Sequence, residues 1–279
     1  MSRPHIRELA MTLLAECSIS EPPTRKEPLL QYLSVKADTL PLTIEDLMRL
    51  GFRYDLTPNI RALSDIKERE IYIHPILHHH QETWAVLHEI GHFRIDWHRE
   101  LLYLCSAYDL SPQVRRIMER EANEFAGECI FQGDRFCREA YDHPFGMASI
   151  KLLADRYASL EATCRRYVEN CPDPCALIVW APRTRKKDLQ VVGGFPLLHI
   201  QYFVTSPTIG VIFPPHQTLQ PDNPLNELFH REGAQQILEA DFPVRSKGSR
   251  KSTVYHSQSF SNRYKVFTLV WPSASTRGG

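Results

Sequence analysis

TWAVLHEIGHF, residues Thr83 to Phe93, sets two histidines and a glutamate into an otherwise apolar run. Trp84, Val86, Leu87, Ile90 and Phe93 recur at the spacing of a helix that packs into a core. On such a helix His88 and His92 are one turn apart and project from one face, so both imidazoles can reach a single ion. Glu89 lies beside them, unable to point at the same spot but able to hold a water there. Zinc suits imidazole nitrogen, and a catalytic zinc site takes three protein ligands and keeps one position for water. Coordination lowers the pKa of that water toward neutrality, and a neighbouring carboxylate removes its proton. The spacing therefore implies metal-assisted peptide hydrolysis with Glu89 as base. In a core helix the same three side chains would be costly without a ligand. Gly91 fits the pattern, since a missing side chain lets another segment approach the helix closely.

A third ligand must come from elsewhere. SPQVRRIMEREANEFAGECIF, residues 111–131, reads as a helix with Ser111 as N-cap and Pro112 in its first turn. Val114, Met118, Ala122, Phe125 and Ile130 form its expected buried stripe. The same helix carries Glu119, Glu121, Glu124 and Glu128. By phase, Glu119 lies beside Met118 and Ala122, with Asn123 one turn later able to orient it. Glu121 falls nearly opposite Glu119 on the helical wheel and is expected to face water. Glu119 is the expected third ligand.

HEIGHF followed by EREANEFAGECIF resembles the peptidase domain of the ImmA/IrrE family of bacterial metallopeptidases. The resemblance implies zinc, or manganese or another divalent ion, held by His88, His92 and Glu119, with Glu89 as the catalytic base. It also implies an α+β fold: a zincin-like helical and short-sheet metallopeptidase domain, a helical helix-turn-helix-like connector and a β-rich GAF-like C-terminal domain. Family members cleave helix-turn-helix transcriptional repressors, which relieves repression of stress, DNA-damage or mobile-element genes. A repressor of that kind is the implied protein partner. HHHQETWAVL before the motif and FRIDWHRE after it depart from the usual family pattern, which bears on substrate preference.

The rest of the chain organises around this motif. An amino-terminal helix with Ile6, Leu9, Ala10, Leu13 and Leu14 on its apolar positions stops before SEPPTRKEP. Further helices are expected over Leu29 to Val35 and from Thr43 to Gly51, and EIYIHP alternates as a short strand ended by Pro75. The metal helix is expected from Glu82. MASIKLLADRYASLEATCRRYVEN reads as a helical pair broken at Ala158-Ser159. From Cys175 the segments ALIVWA, LQVVGGF, HIQYFVT, IGVIF, STVYHSQSF and YKVFTLVW are β-branched and aromatic, with one helix, NPLNELFHREG, among them. The expected domains are residues 1–134, 135–172 and 173–272, with 273–279 as a tail.

Composition narrows the function classes. With 33 basic and 33 acidic residues there is no electrostatic footprint for coating nucleic acid or an anionic membrane. CRRYVEN and RSKGSRKST are local basic concentrations, read as solvated or protein-docking faces in preference to DNA contacts. A DNA-binding regulator without proteolysis is the alternative function. No apolar run is long enough for a membrane span, and the first twenty residues lack a signal-peptide pattern. Seven scattered cysteines, CPDPC included, read as reduced thiols, so a cytoplasmic protein is expected. HPILHHH is read as a strand-to-helix connection. Asp96 is equally a partner for His92 or a surface acid, and Tyr103 and Tyr108 are read as packing.

Overall fold

The computed structural model describes residues 4–40, 61–104, 110–182, 191–192, 195–213, 217–230, 236–246 and 252–272. The chain opens with α1 (Pro4–Glu16), which buries Ile6, Ala10, Leu13 and Leu14 at helical spacing. Helix α2 (Lys26–Leu33) starts before the expected Leu29, because Pro28 is tolerated in a first turn, and stops where Ser34 turns left-handed at φ 52°. Strands β1 (Lys36–Thr39), β2 (Ala62–Asp65) and β3 (Glu70–Ile73) form a sheet in the order β1-β3-β2. β1 is parallel to β3 and β2 antiparallel to it, and the order leaves β1 and β2 as the edges among the described residues. The helix expected from Thr43 to Gly51 lies outside the described residues.

Helix α3 (His79–Arg94) carries the metal motif and packs on β2, β3 and α2. It starts three residues before the expected Glu82. His78 is its N-cap, with its backbone N–H 3.4 Å from Gln81 Oε1, so two of the HPILHHH histidines join the first turn. Ile95 is extended (φ −82°, ψ 107°), which ends α3 and lets α4 (Asp96–Leu104) turn back. Helix α5 (Pro112–Phe131) is capped as expected: Ser111 Oγ accepts the Val114 N–H at 3.3 Å. Its Met118, Ala122, Phe125 and Ile130 are buried against α3 and α1, while Val114 is only partly covered.

The contacts divide the chain into two units, residues 2–136 with 156–158 and residues 137–155 with 159–279. In the first, Phe131, Phe136 and Tyr157 form a ring cluster with centroids 4.9 to 6.1 Å apart. α6 (Asp134–Tyr141), not named as a separate helix within the helical connector expected over 135–172, spans the division.

After the end of α6, the second unit holds the anticipated helical pair, α7 (Met147–Arg156, its last residue excepted) and α8 (Leu160–Asn170), with Ser159 capping α8 through the Ala162 N–H. Its sheet comprises β4 (Ala176–Pro182), β7 (Leu198–Thr205), β8 (Val211–Ile212), β9 (Leu238–Ser246), β10 (Ser252–Ser261) and β11 (Val266–Pro272). The order is β7-β4-β11-β10-β9-β8, antiparallel throughout. β5 (Val191–Val192) and β6 (Phe195–Pro196) pair separately. Ala176, Ile178 and Trp180 share a core with Leu225 and Leu228 of α9 (Pro224–His230). Phe203 packs against that core, and its neighbour Tyr202 points to the other face, where its hydroxyl donates to Glu161 of α8 at 2.6 Å. Helices thus cover both faces of a mixed α and β unit. Cys171 and Cys175 of CPDPC are buried free thiols. Among the described residues no helix is long and apolar enough to cross a membrane.

Candidate metal centre

The centre is built where α3 crosses α5. A Cβ on Gly91 would lie 3.2 Å from Ala122 Cα and 3.3 Å from the Phe125 ring, so this glycine sets how closely the helices approach. His88 and His92, one turn apart, then face Glu119 on α5. His88 Nε2 is 3.3 Å from His92 Nε2 and 3.2 Å from Glu119 Oε2, and His92 Nε2 is 3.8 Å from Glu119 Oε1. The three side chains offer ligand atoms within 4.8 Å of one another. A tetrahedral ion with bonds of about 2.0–2.1 Å needs ligand atoms about 3.3 Å apart, so the donor set and its spacing fit a divalent ion such as zinc.

The polar surroundings hold this arrangement. His88 Nδ1 lies 3.1 Å from Asn123 Oδ1. Asn123 therefore orients His88, not Glu119 as its one-turn spacing suggested. Burial lowers the His88 pKa, but the Glu119 hydrogen bond, the Glu89 and Glu119 charges and Asn123 outweigh it, leaving a net rise. Burial dominates for His92 and brings it down to about 4. Burial raises the Glu119 carboxyl, yet the His88 hydrogen bond and the nearby imidazoles outweigh that and hold it below its ordinary value. The histidines are nearly closed from solvent, whereas the Glu119 side chain is 59% exposed. Glu89 is buried and lines the same cavity of about 390 Å³, together with Trp84, Met118, Arg115 and the β2 residues Leu63 and Ser64.

Glu121 corrects the expectation that it faces water: it is only 3% exposed. Its Oε2 accepts the Trp97 Nε1–H at 2.9 Å and lies 3.2 Å from His98 Nε2. At 3.6 residues per turn it stands about 60° from Met118, against about 100° for Glu119, so the two acids flank the buried stripe from either side. Being opposite Glu119 did not mean being opposite the core. Trp97, His98 and Glu121 are the neighbours of the site that sequence reasoning missed. Helical spacing could not connect His98 to His92, because the extended Ile95 breaks the periodicity between them. Asp96 is a surface acid paired with Arg99 at 2.8 Å. Tyr103 is exposed under Lys67, and Tyr108 lies outside the described residues.

Comparison with known proteins bears on this crossing of α3 and α5. A peptidase-family model described as the IrrE N-terminal-like domain matches residues 31–167, a span that contains α3, α5 and His88, Glu89, His92 and Glu119. The chain carries an IrrE N-terminal-like domain. No curated protein matches the chain. Among solved structures, a Mycobacterium tuberculosis transcriptional regulator is similar at a TM-score of 0.55 and 14% identity, covering 97% of this chain and 77% of that one. At that identity the likeness is one of fold, and its 97% coverage extends past residue 167 into the sheet of the second unit.

Proposed function

We propose that the protein is a regulatory metal-dependent endopeptidase, with zinc as the ion and a helix-turn-helix transcriptional repressor as the substrate. The observation that carries this reading is the convergence of His88, His92 and Glu119 beside the buried carboxylate of Glu89 in one cavity. His88, His92 and Glu119 would hold the ion. When bound, it supplies Lewis acidity and lowers the pKa of a water toward neutrality. Glu89 accepts that water's proton as the new C–O bond forms, then returns it to the departing amide nitrogen as the C–N bond breaks. Asn123 keeps the His88 ring in place, and Leu63 and Ser64 of β2 wall the cavity where a peptide would lie. The second unit is proposed as the regulatory, GAF-like part of a cytoplasmic protein.

The Glu89→Gln protein tests the chemistry. It should bind one zinc per chain, by inductively coupled plasma analysis, and cut a helix-turn-helix repressor at least about 100-fold more slowly on intact-mass readout. Cleavage at the wild-type rate removes Glu89 from its role. The similarity to a protein described as a transcriptional regulator favours a second reading, a DNA-binding regulator without proteolysis. Salt-sensitive duplex binding by a metal-loaded chain that cuts no repressor would select it.

A further inference from the structure

His92 turns Nε2 toward His88 and Glu119, and its other ring nitrogen, Nδ1, is buried with no hydrogen-bond partner among the described residues. The His98 ring lies 5.1 Å away, centroid to centroid, and is fully buried. His98 Nε2 is held by Glu121 Oε2 at 3.2 Å, while His98 Nδ1 is also buried and without a partner among the described residues. Trp97 Nε1–H donates to the same carboxylate oxygen at 2.9 Å, which fixes that oxygen from a second side.

With Glu121 ionised, these contacts assign the protons. An ionised carboxylate only accepts, so neutral His98 carries its hydrogen on Nε2 and presents Nδ1 as an acceptor. A histidine that gives its Nε2 lone pair to an ion carries its hydrogen on Nδ1 and presents a donor there. A buried donor and a buried acceptor, each otherwise unsatisfied, thus sit on adjacent rings. Leaving either unmade costs the desolvation of a polar group.

We propose that Glu121 and His98 are positioning residues for the metal centre. Glu121 fixes the His98 tautomer, and His98 Nδ1 accepts the His92 Nδ1–H, directly after a small ring rotation or through one water. This chain aims His92 Nε2 at the ion and raises its basicity, as the carboxylate partner of a metal-bound histidine does. Here a second histidine intervenes between carboxylate and ligand. The proposal rests on reading His92 as a metal ligand. The nearer acid in sequence, Asp96, is 75% exposed and engaged with Arg99.

Zinc affinity, measured by competition with a chromophoric chelator, tests it. His98→Phe keeps a ring against Trp97 and His92 but removes the acceptor, and should weaken zinc binding about 10- to 100-fold. His98→Gln offers a carbonyl oxygen as acceptor and should recover part of that loss, which a purely structural role would not produce. Long-range proton–nitrogen NMR of the zinc-loaded wild type should find the His98 hydrogen on Nε2, a result that needs no variant to fold. A His98 hydrogen on Nδ1, or a folded His98→Phe protein binding zinc as tightly as wild type, overturns the positioning role alone. A wild-type chain that takes up no zinc overturns the metal reading and this role with it.

Discussion

At position 91 the absent side chain governs a distance. The Cα of Ala122 and the ring of Phe125 already occupy the space a side chain would need. A Gly91→Val substitution overpacks the crossing and should cost about 1–3 kcal/mol in a denaturant melt. It should also weaken zinc binding, because it separates the helix that carries Glu119 from the one that carries both histidines. Unchanged stability and zinc affinity would show that the crossing does not depend on this glycine. His88, Glu89 and His92 were legible because their relation is local, one turn of one helix. The approach of Glu119 to the histidines follows its helical phase. The setting of Glu121 and His98 was not legible, since it arises from three helices meeting after a break at Ile95, and no spacing within one helix encodes that.

Among the elements, β4 and β11 announced themselves because both of their faces are buried and their sequences are continuously apolar or β-branched. β1, with the sequence KADT, is exposed at every position and shows no apolar alternation, so its place in the small sheet comes only from pairing with β3. β9 is hard to read from the sequence, since Pro243 sits within it and proline ordinarily argues against a strand. Between the central strands lies a polar contact: Trp180 Nε1–H donates to Thr268 Oγ1 at 3.0 Å, and Thr268 Oγ1 is 2.9 Å from Ser259 Oγ. Trp180 and Thr268 are both fully buried. Thr268→Val keeps the shape and leaves the indole N–H and the serine hydroxyl without this partner, at a cost of about 1–3 kcal/mol. A thermal melt that does not move would mean the two groups find another acceptor.

For the whole molecule, the arrangement of the second unit has a direct consequence for truncation. β11 pairs with β4 on one side and β10 on the other, so no ladder joins those two strands without it. A chain ending at Lys265 should therefore lose hydrogen-exchange protection across β4 and β10, while α3 and α5 of the first unit keep theirs. Protection of β4 retained in that shortened chain would contradict the central role of β11. A change of composition between the helical motif region and the β-rich region is visible in the sequence. The grouping of α7 and α8 with the sheet is not, because it depends on contacts such as Glu161 with Tyr202 and Lys265.

The same strand order imposes a timetable on biosynthesis. A ribosome releases the chain from its amino end, so α3 and α5 can meet while much of the protein is still untranslated. The strand at the heart of the sheet follows every strand it joins in chain order, so that sheet can be completed only once β11 has been made.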